Sequence, residues 1–272
     1  MTHPNSSQAK EMADESMVRN LAAQATAIWP QEEPIFRRNP VRAGGRVLDV
    51  GCGTGEITGR LADLFPGTSL LGVDLEETHL ERARERCRPL GDRARFQKDD
   101  ALALSLPDRQ FDLVLSRHVI QAVPDARKAL SEMIRVLKPG GRLHLIAEDY
   151  GMLWAHPTAS DADGFWQRIP ALYGKAVGCD LFVGRKAFTM LTDLGMRDIK
   201  VDYVVVDTVR VEREIFARIW EAWRDGYTDA IVQYTTVPRE EVDRRWREMI
   251  GCVRDPKGYA LWQVPVWTAE KP

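Results

Sequence analysis

Arg46-Val47-Leu48-Asp49-Val50-Gly51-Cys52-Gly53-Thr54-Gly55-Glu56-Ile57 decides the reading of this chain. An apolar run ends at an acid, and three glycines follow at alternate positions. An amphipathic pattern then begins with Ile57, Leu61, Leu64 and Phe65. This reads as strand, tight turn and helix. The turn falls at the carboxyl end of a strand, where side chains would crowd a ligand and glycine gives the backbone its freedom. The free N–H groups and positive dipole end of the next helix point to the same place. In an open α/β sheet that crevice is where ligands bind. Glycine turns also occur simply to close a strand onto a helix, so the rest of the chain must decide. The spacing is G-x-G-x-G, which differs from the dinucleotide pattern G-x-G-x-x-G, and no Gly-Lys-Ser/Thr follows to make a phosphate loop.

Working outward, Ser69–Glu76 is a second apolar run capped by acids, with Asp74 lying 23 residues beyond Gly51. An acid there can accept hydrogen bonds from both ribose hydroxyls, or cap the helix that Glu76 and Glu77 open. Ala94–Ala101 reads as a short third strand, Phe111–Ser116 as a buried fourth, and Arg142–Glu148 as a fifth. A helix over about Asp125–Leu137 separates the last two. Strands alternating with helices argue for a mainly parallel sheet with covered faces.

By this point the chain resembles the class I S-adenosylmethionine (SAM)-dependent methyltransferases over Val47 to about Tyr150. Val47–Gly55 matches the family's first motif, Asp74 its ribose-binding acid and Asp100-Ala101 its acid-alanine pair near adenine. Leu104, Leu106-Pro107-Asp108, Phe111-Asp112 and Leu137-Lys138-Pro139-Gly140-Gly141 follow at the usual offsets. Within the family the likeness is to the small-molecule branch that includes ubiquinone and menaquinone biosynthesis enzymes. The resemblance implies a Rossmann-like α/β fold. Its sheet would be seven-stranded and mostly parallel, with an antiparallel edge strand, helices on both faces and a helical cap or insertion. It implies SAM as cofactor and S-adenosylhomocysteine as product. Gly51 and Gly53 would take the methionine half and Asp49 its ammonium. Asp74 would hold the ribose, Leu75 would pack on adenine, and Asp100 with Ala101 would meet the adenine edge. Ser116 would lie near the methionine portion.

Flanking this block, residues 1–11 read as a polar tail without the apolar core of a signal peptide. Met12–Trp29 has the spacing of a helix with one buried face, ended by Pro30 and Pro34. It either packs on the sheet edge or, with Trp29, closes over a ligand. We expect residues 1–40 to form this tail and helix, and residues 41–272 the cofactor-binding domain, with helical substrate-cap segments at about 150–182 and 209–257. Val183–Leu194 reads as a helix and Ile199–Val209 as a strand. Ile215, Phe216, Ile219, Trp220, Trp223, Tyr227 and Ile231 form an apolar stripe, either core or a lid over an apolar substrate. Gly258–Trp267 reads as a closing antiparallel strand, placed at the edge by Pro265.

Composition excludes several classes. Lys+Arg 38 against Asp+Glu 40 leaves a formal charge of −2, with no basic field to recruit nucleic acid. The arginines at 82, 84, 86 and 88 alternate with acids as a solvated helix face. The Asn/Asp-Pro-Pro-aromatic pattern of amino-methylating nucleic-acid enzymes is replaced by Ser116-Arg117-His118-Val119. Cys52, Cys87, Cys179 and Cys252 are scattered, so neither a metal site nor a disulfide framework is expected. No apolar run approaches the roughly 18 residues needed to span a bilayer. The expectation is a cytoplasmic enzyme acting on a small-molecule substrate, with oligomeric state open.

Methyl transfer needs alignment and exclusion of water first, and a base only where the nucleophile must lose a proton. Candidates past strands four and five are His118, Glu148, Asp149, Tyr150 and His156, with His118 and Tyr150 foremost. His118 could equally be a packed helix histidine, and His144, inside strand five, reads as structural. Two rival functions stand beside this one. The first is a SAM-binding protein of the same fold without methyl transfer. The second is a NAD-dependent oxidoreductase, against which the glycine spacing and Asp100-Ala101 speak.

Overall fold

A computed structural model describes residues 15–159 and 162–272. The tail and the first residues of the helix expected from Met12 lie outside the described residues. The chain opens with α1 (Glu15–Arg38). Five strands and three helices then follow: β1 (Arg46–Val50), α2 (Glu56–Leu64), β2 (Ser69–Asp74), α3 (Glu77–Cys87), β3 (Ala94–Lys98), β4 (Phe111–Arg117), α4 (Ala126–Val136) and β5 (Leu137–Ile146). The second half holds β6 (Leu153–His156), α5 (Ala162–Val177), α6 (Ala187–Asp193) and β7 (Arg197–Asp207). It ends with α7 (Arg213–Tyr234), α8 (Arg239–Arg254) and β8 (Tyr259–Glu270). No described helix is long and apolar enough to cross a membrane.

The sheet order is β3-β2-β1-β4-β5-β8-β6, with β7 on the other side of β8. Strands β1 to β5 are parallel. In β1 and β4 nearly every residue is buried, as expected of strands covered on both faces. β6 continues the line of β5 along the same side of β8. Arg142–Ile146 pairs with Glu270–Val266, and Leu153–His156 with Trp262–Tyr259. The sheet therefore has seven positions across, filled by eight strand segments. Between β5 and β6 the chain leaves the ladder over residues 147–152, and this break carries Glu148, Asp149 and Tyr150.

The antiparallel side of the sheet is a pair: β8 runs between β5 and β7, and β7 is the outermost strand. Pro265 sits at the break. The Ala147 N–H donates to its carbonyl at 3.4 Å, where the β5 ladder ends, so the donor that proline lacks leaves no ladder bond unmade.

The expected end of the first helix is corrected. α1 runs through Pro30 and Pro34 to Arg38. Tertiary contacts hold the second half in place against the local cost of two prolines. Ile28, Ile35 and Phe36 are buried, Glu32 is fully buried, and the Gln31 amide bonds the backbone of Val205 in β7 with both its nitrogen and its oxygen.

Candidate functional site

Strand register brings the motif residues to one edge. Asp49 and Val50 pair with Leu115 and Ser116 of β4 on one side, and with Gly72 and Val73 of β2 on the other. The carboxyl ends of β1, β2 and β4 therefore open onto a common cleft, lined by Asp49, Gly51, Cys52, Thr54, Glu56, Ile57, Arg117 and His118, together with Leu21 and Gln24 of α1. Gly51 (φ 74°) and Gly53 (φ 51°) are left-handed. A Cβ on Gly51 would lie 2.2 Å from Val119, and one on Gly53 would lie 2.8 Å from Leu21. The backbone here approaches its surroundings as only glycine permits.

The acids are arranged around that turn. Asp74 accepts the Gly53 N–H at 2.8 Å with one oxygen and the Glu76 N–H at 3.0 Å with the other, which ties the end of β2 to the turn. Each carboxylate oxygen keeps a second lone pair for a ligand. Asp49 is buried and accepts the Thr58 hydroxyl at 2.7 Å. Burial outweighs that bond and pushes its carboxyl up to about 6. Leu75, next after Asp74, is 43% exposed, an apolar side chain left open beside the cleft's acid. Asp100 is half-buried and accepts the Leu102 N–H at 2.8 Å, and Ala101 packs against the core under β4. Ser116 is fully buried and donates to the Val50 carbonyl at 2.9 Å. Its proton is therefore committed to the sheet, immediately before Gly51.

His118, Glu148 and Tyr150 come together at the break between β5 and β6. His118 follows β4 with a left-handed φ of 59°, a conformation a non-glycine residue holds only under tertiary constraint. Its N–H donates to the Ile146 carbonyl at 3.2 Å. Its Nδ1 lies 2.5 Å from a Glu148 oxygen, and its Nε2 is buried without a hydrogen-bond partner among the described residues. Burial first, and Glu148 after it, push the Tyr150 hydroxyl well above its ordinary range. The carboxylate thus stands between an imidazole on the cleft and a phenol on the far side. Asp149 is occupied elsewhere, bonding Arg185 through both oxygens at 2.6 Å. His156 is exposed on β6.

Three site residues were not found by sequence reasoning. Arg117 lines the cleft, and its guanidinium is held by Glu32 of α1 at 3.0 Å. His144, also on Glu32 at 2.9 Å and stacked on Phe36 at 3.9 Å, completes a buried cluster and is structural, as expected. Burial opposes the charge of Glu32, but Arg117 and His144 together hold its carboxyl below the usual range. Leu21 and Gln24 bring α1 over the cleft. Trp29 instead packs with Phe36 and Leu61 beside α2, under the Arg60 guanidinium, and is not among the cleft-lining residues. The signal for Arg117 was available: a charged residue closing an apolar strand beside the cleft must find a partner when buried.

Known proteins agree with this geometry. The family model described as a methyltransferase domain matches residues 47–141. A 27-O-demethylrifamycin SV methyltransferase from Amycolatopsis mediterranei is 39% identical over 126 residues, covering 46% of this chain and 45% of the relative. The match thus spans less than half the length of that curated relative. An uncharacterized protein of Mycobacterium tuberculosis is 28% identical over 241 residues, 84% of this chain and 82% of its own. Among solved structures, phosphoethanolamine N-methyltransferase 2 of Haemonchus contortus, in complex with phosphomonomethylethanolamine and S-adenosylhomocysteine, superposes with a TM-score of 0.59 at 25% identity. That superposition covers 90% of this chain and 53% of the other. With its strand order and its glycine turn at the sheet's carboxyl edge, the stretch 47–141 is a methyltransferase domain similar to those of the class I SAM-dependent methyltransferases.

Proposed function

We propose that this chain transfers a methyl group from SAM to a small-molecule acceptor, with His118 as general base. One observation carries the reading: the left-handed glycine turn and His118, whose buried Nε2 has no hydrogen-bond partner among the described residues, line the same cleft. The cleft fits the cofactor's methionine half, because a carboxylate (Asp49) and a guanidinium (Arg117) line it together beside the glycine turn. Gly51 and Gly53 take the methionine half, Asp49 faces its ammonium, and Arg117 offers a cation to its carboxylate. Asp74 takes the ribose diol, Leu75 covers adenine, and Asp100 beside Ala101 accepts from the adenine amino group. Ser116 acts one step back, fixing the Val50 carbonyl and hence the start of the turn.

SAM, when bound, supplies a methyl group already activated on a sulfonium. The chain's own work is to align the acceptor, exclude water and take a proton. Glu148 holds His118 through Nδ1, which leaves Nε2 as the ring nitrogen available for proton transfer. That nitrogen receives the acceptor's proton as the methyl moves. The helix α1 serves as cover for the cofactor site, and the segments at about 150–182 and 209–257 shape the acceptor site within the domain that begins at residue 41.

Calorimetric titration with S-adenosylhomocysteine, with NAD as control, tests the cofactor half. Micromolar binding of the first and silence from the second are expected. Product formation from labelled SAM then tests transfer. Binding without transfer to any acceptor would leave a SAM-binding protein that uses the fold for another purpose.

A further inference from the structure

Beyond Tyr150 the chain encloses a second space, separate from the cofactor cleft. It is a chamber of about 500 Å³ counted out through its open mouth. Six aromatic side chains wall it: Tyr150, Trp166, Tyr173, Trp223, Tyr227 and Trp246. The other lining residues are aliphatic or proline. None of the lining side chains carries a charge. The walls come from α5, α7 and α8 and the break before β6, all outside the matched methyltransferase domain. Nearly all of its lining side chains belong to or pack on the apolar clusters of the second half, and what sets the space apart is its wall of aromatic rings.

The stripe on α7 shows the division of labour. Phe216, Ile219 and Trp220 are fully buried core, whereas Trp223, Tyr227 and Ile231, further along the same helix, face the chamber. The chamber meets the cofactor side at one place. Tyr150 lines the chamber, His118 lines the cleft, and Glu148 stands between them. Trp223 and Trp262, with ring centroids 5.1 Å apart, close the seam, and Trp262 lies 5.8 Å from His118.

We infer that this chamber is the acceptor site and that it selects a neutral, apolar ring or polyene body bearing one ionisable hydroxyl. This rests on the methyltransferase reading above. A phosphate, carboxylate or ammonium buried here would lose its hydration without a countercharge in the wall, a cost of several kcal/mol. Apart from the phenols of its own wall, the acid-base groups next to it among the described residues are those at the seam, Glu148 and His118. The acceptor is therefore anchored by its apolar body, with its hydroxyl directed at Glu148 and His118. The O–H proton passes to His118 Nε2, the new O–CH3 bond forms as the S–CH3 bond breaks, and the electron pair of that bond stays on sulfur.

Three probes with one naphthalene body test the assignment: 1-naphthol, 1-naphthyl phosphate and 1-naphthylmethylammonium. Quenching of the chamber's tryptophan fluorescence reads binding, alongside calorimetry with S-adenosylhomocysteine. We expect naphthol to bind and both charged probes to bind at least tenfold more weakly. Ile231→Trp, which fills the chamber, should weaken naphthol at least tenfold while S-adenosylhomocysteine binds as before. Equal or tighter binding of either charged probe overturns the proposal in the unaltered protein, whatever the variant does. So does naphthol binding unchanged in a variant that still binds S-adenosylhomocysteine. Naphthol binding without S-adenosylhomocysteine binding would keep the chamber and sink the methyltransferase reading. The converse would sink the chamber alone.

Discussion

At the scale of single residues the site makes two separable demands on charge. His118 must keep Nε2 free and aimed, which Glu148 secures through Nδ1 at 2.5 Å. His118→Asn should lower kcat about 10²- to 10⁴-fold, the usual worth of a positioned base, while S-adenosylhomocysteine still binds. Glu148→Gln should cost less in kcat and alter the pH profile of the reaction, because the imidazole remains but loses the acceptor that fixes its tautomer. An unchanged profile would make Glu148 merely structural. Asp49 answers to pH differently. Burial pushes its folded carboxyl up to about 6 from an ordinary 3.8, so the folded state binds that proton more tightly than the unfolded chain does. Ionising Asp49 therefore costs stability above pH 6, by up to about 3 kcal/mol, and the cost vanishes as pH falls below the unfolded value. Asp49→Asn should be more stable than the native protein at pH 7.5 and no more stable at pH 3.5, as read by urea denaturation. The same proton competes with the cofactor's ammonium. S-adenosylhomocysteine should bind up to about tenfold more weakly at pH 5 than at pH 7.5 in the native chain. That difference should shrink in the asparagine variant. Asp74→Ala should weaken the same ligand by roughly 1–3 kcal/mol, the worth of hydrogen bonds to a charged acceptor.

At the scale of elements, α1 makes the clearest case. Its second half continues past Pro30 and Pro34 because Glu32 reaches Arg117 and His144 in the sheet, and because Gln31 pairs with the backbone of β7. Glu32→Ala should destabilise the fold by about 3–5 kcal/mol, since it strands a buried guanidinium without its partner. Losing less than 1 kcal/mol in urea denaturation would show that the cluster does not hold α1. The helix also marks where the sequence stops being readable. Proline as a stop signal is a local rule, and the contacts that override it lie far away in the chain. The parallel strands were legible because strands buried on both faces read as mostly apolar runs, as in Val47–Val50, broken by Asp49, and Phe111–Ser116, broken by Asp112. The glycine turn, Asp74 and Asp100 were legible through motif spacing. β6 was missed because four residues that pair only with β8 leave no period to detect. Nor could spacing along α7 separate Trp220, which fills the core, from Trp223, which walls the chamber. Both lie on one apolar stripe, and only the packing of α5 and α8 decides which part stays open.

At the scale of the whole molecule, the two halves are joined through β8, which pairs with β5 of the cofactor half and with β6 and β7 of the second half. α1 crosses the same seam, with Leu21 over Gly53 and Gln31 on β7. A ligand in the cleft therefore touches the sheet edge and the helix at once, and binding should stabilise the chain as one unit. S-adenosylhomocysteine at a hundred times its Kd adds about 2.7 kcal/mol by mass action. For a chain of this size that corresponds to a rise in Tm of roughly 5–10 °C. NAD at the same concentration should leave Tm unchanged, and Asp74→Ala should remove most of the shift. Hydrogen exchange then separates two ways of reaching that result. Because Leu21 and Gln24 line the cleft, amides of the first half of α1 should gain protection on binding along with those of β1 and β2. Protection confined to the strands would mean that the cofactor is held by the sheet edge alone, and that α1 packs beside the site without closing it.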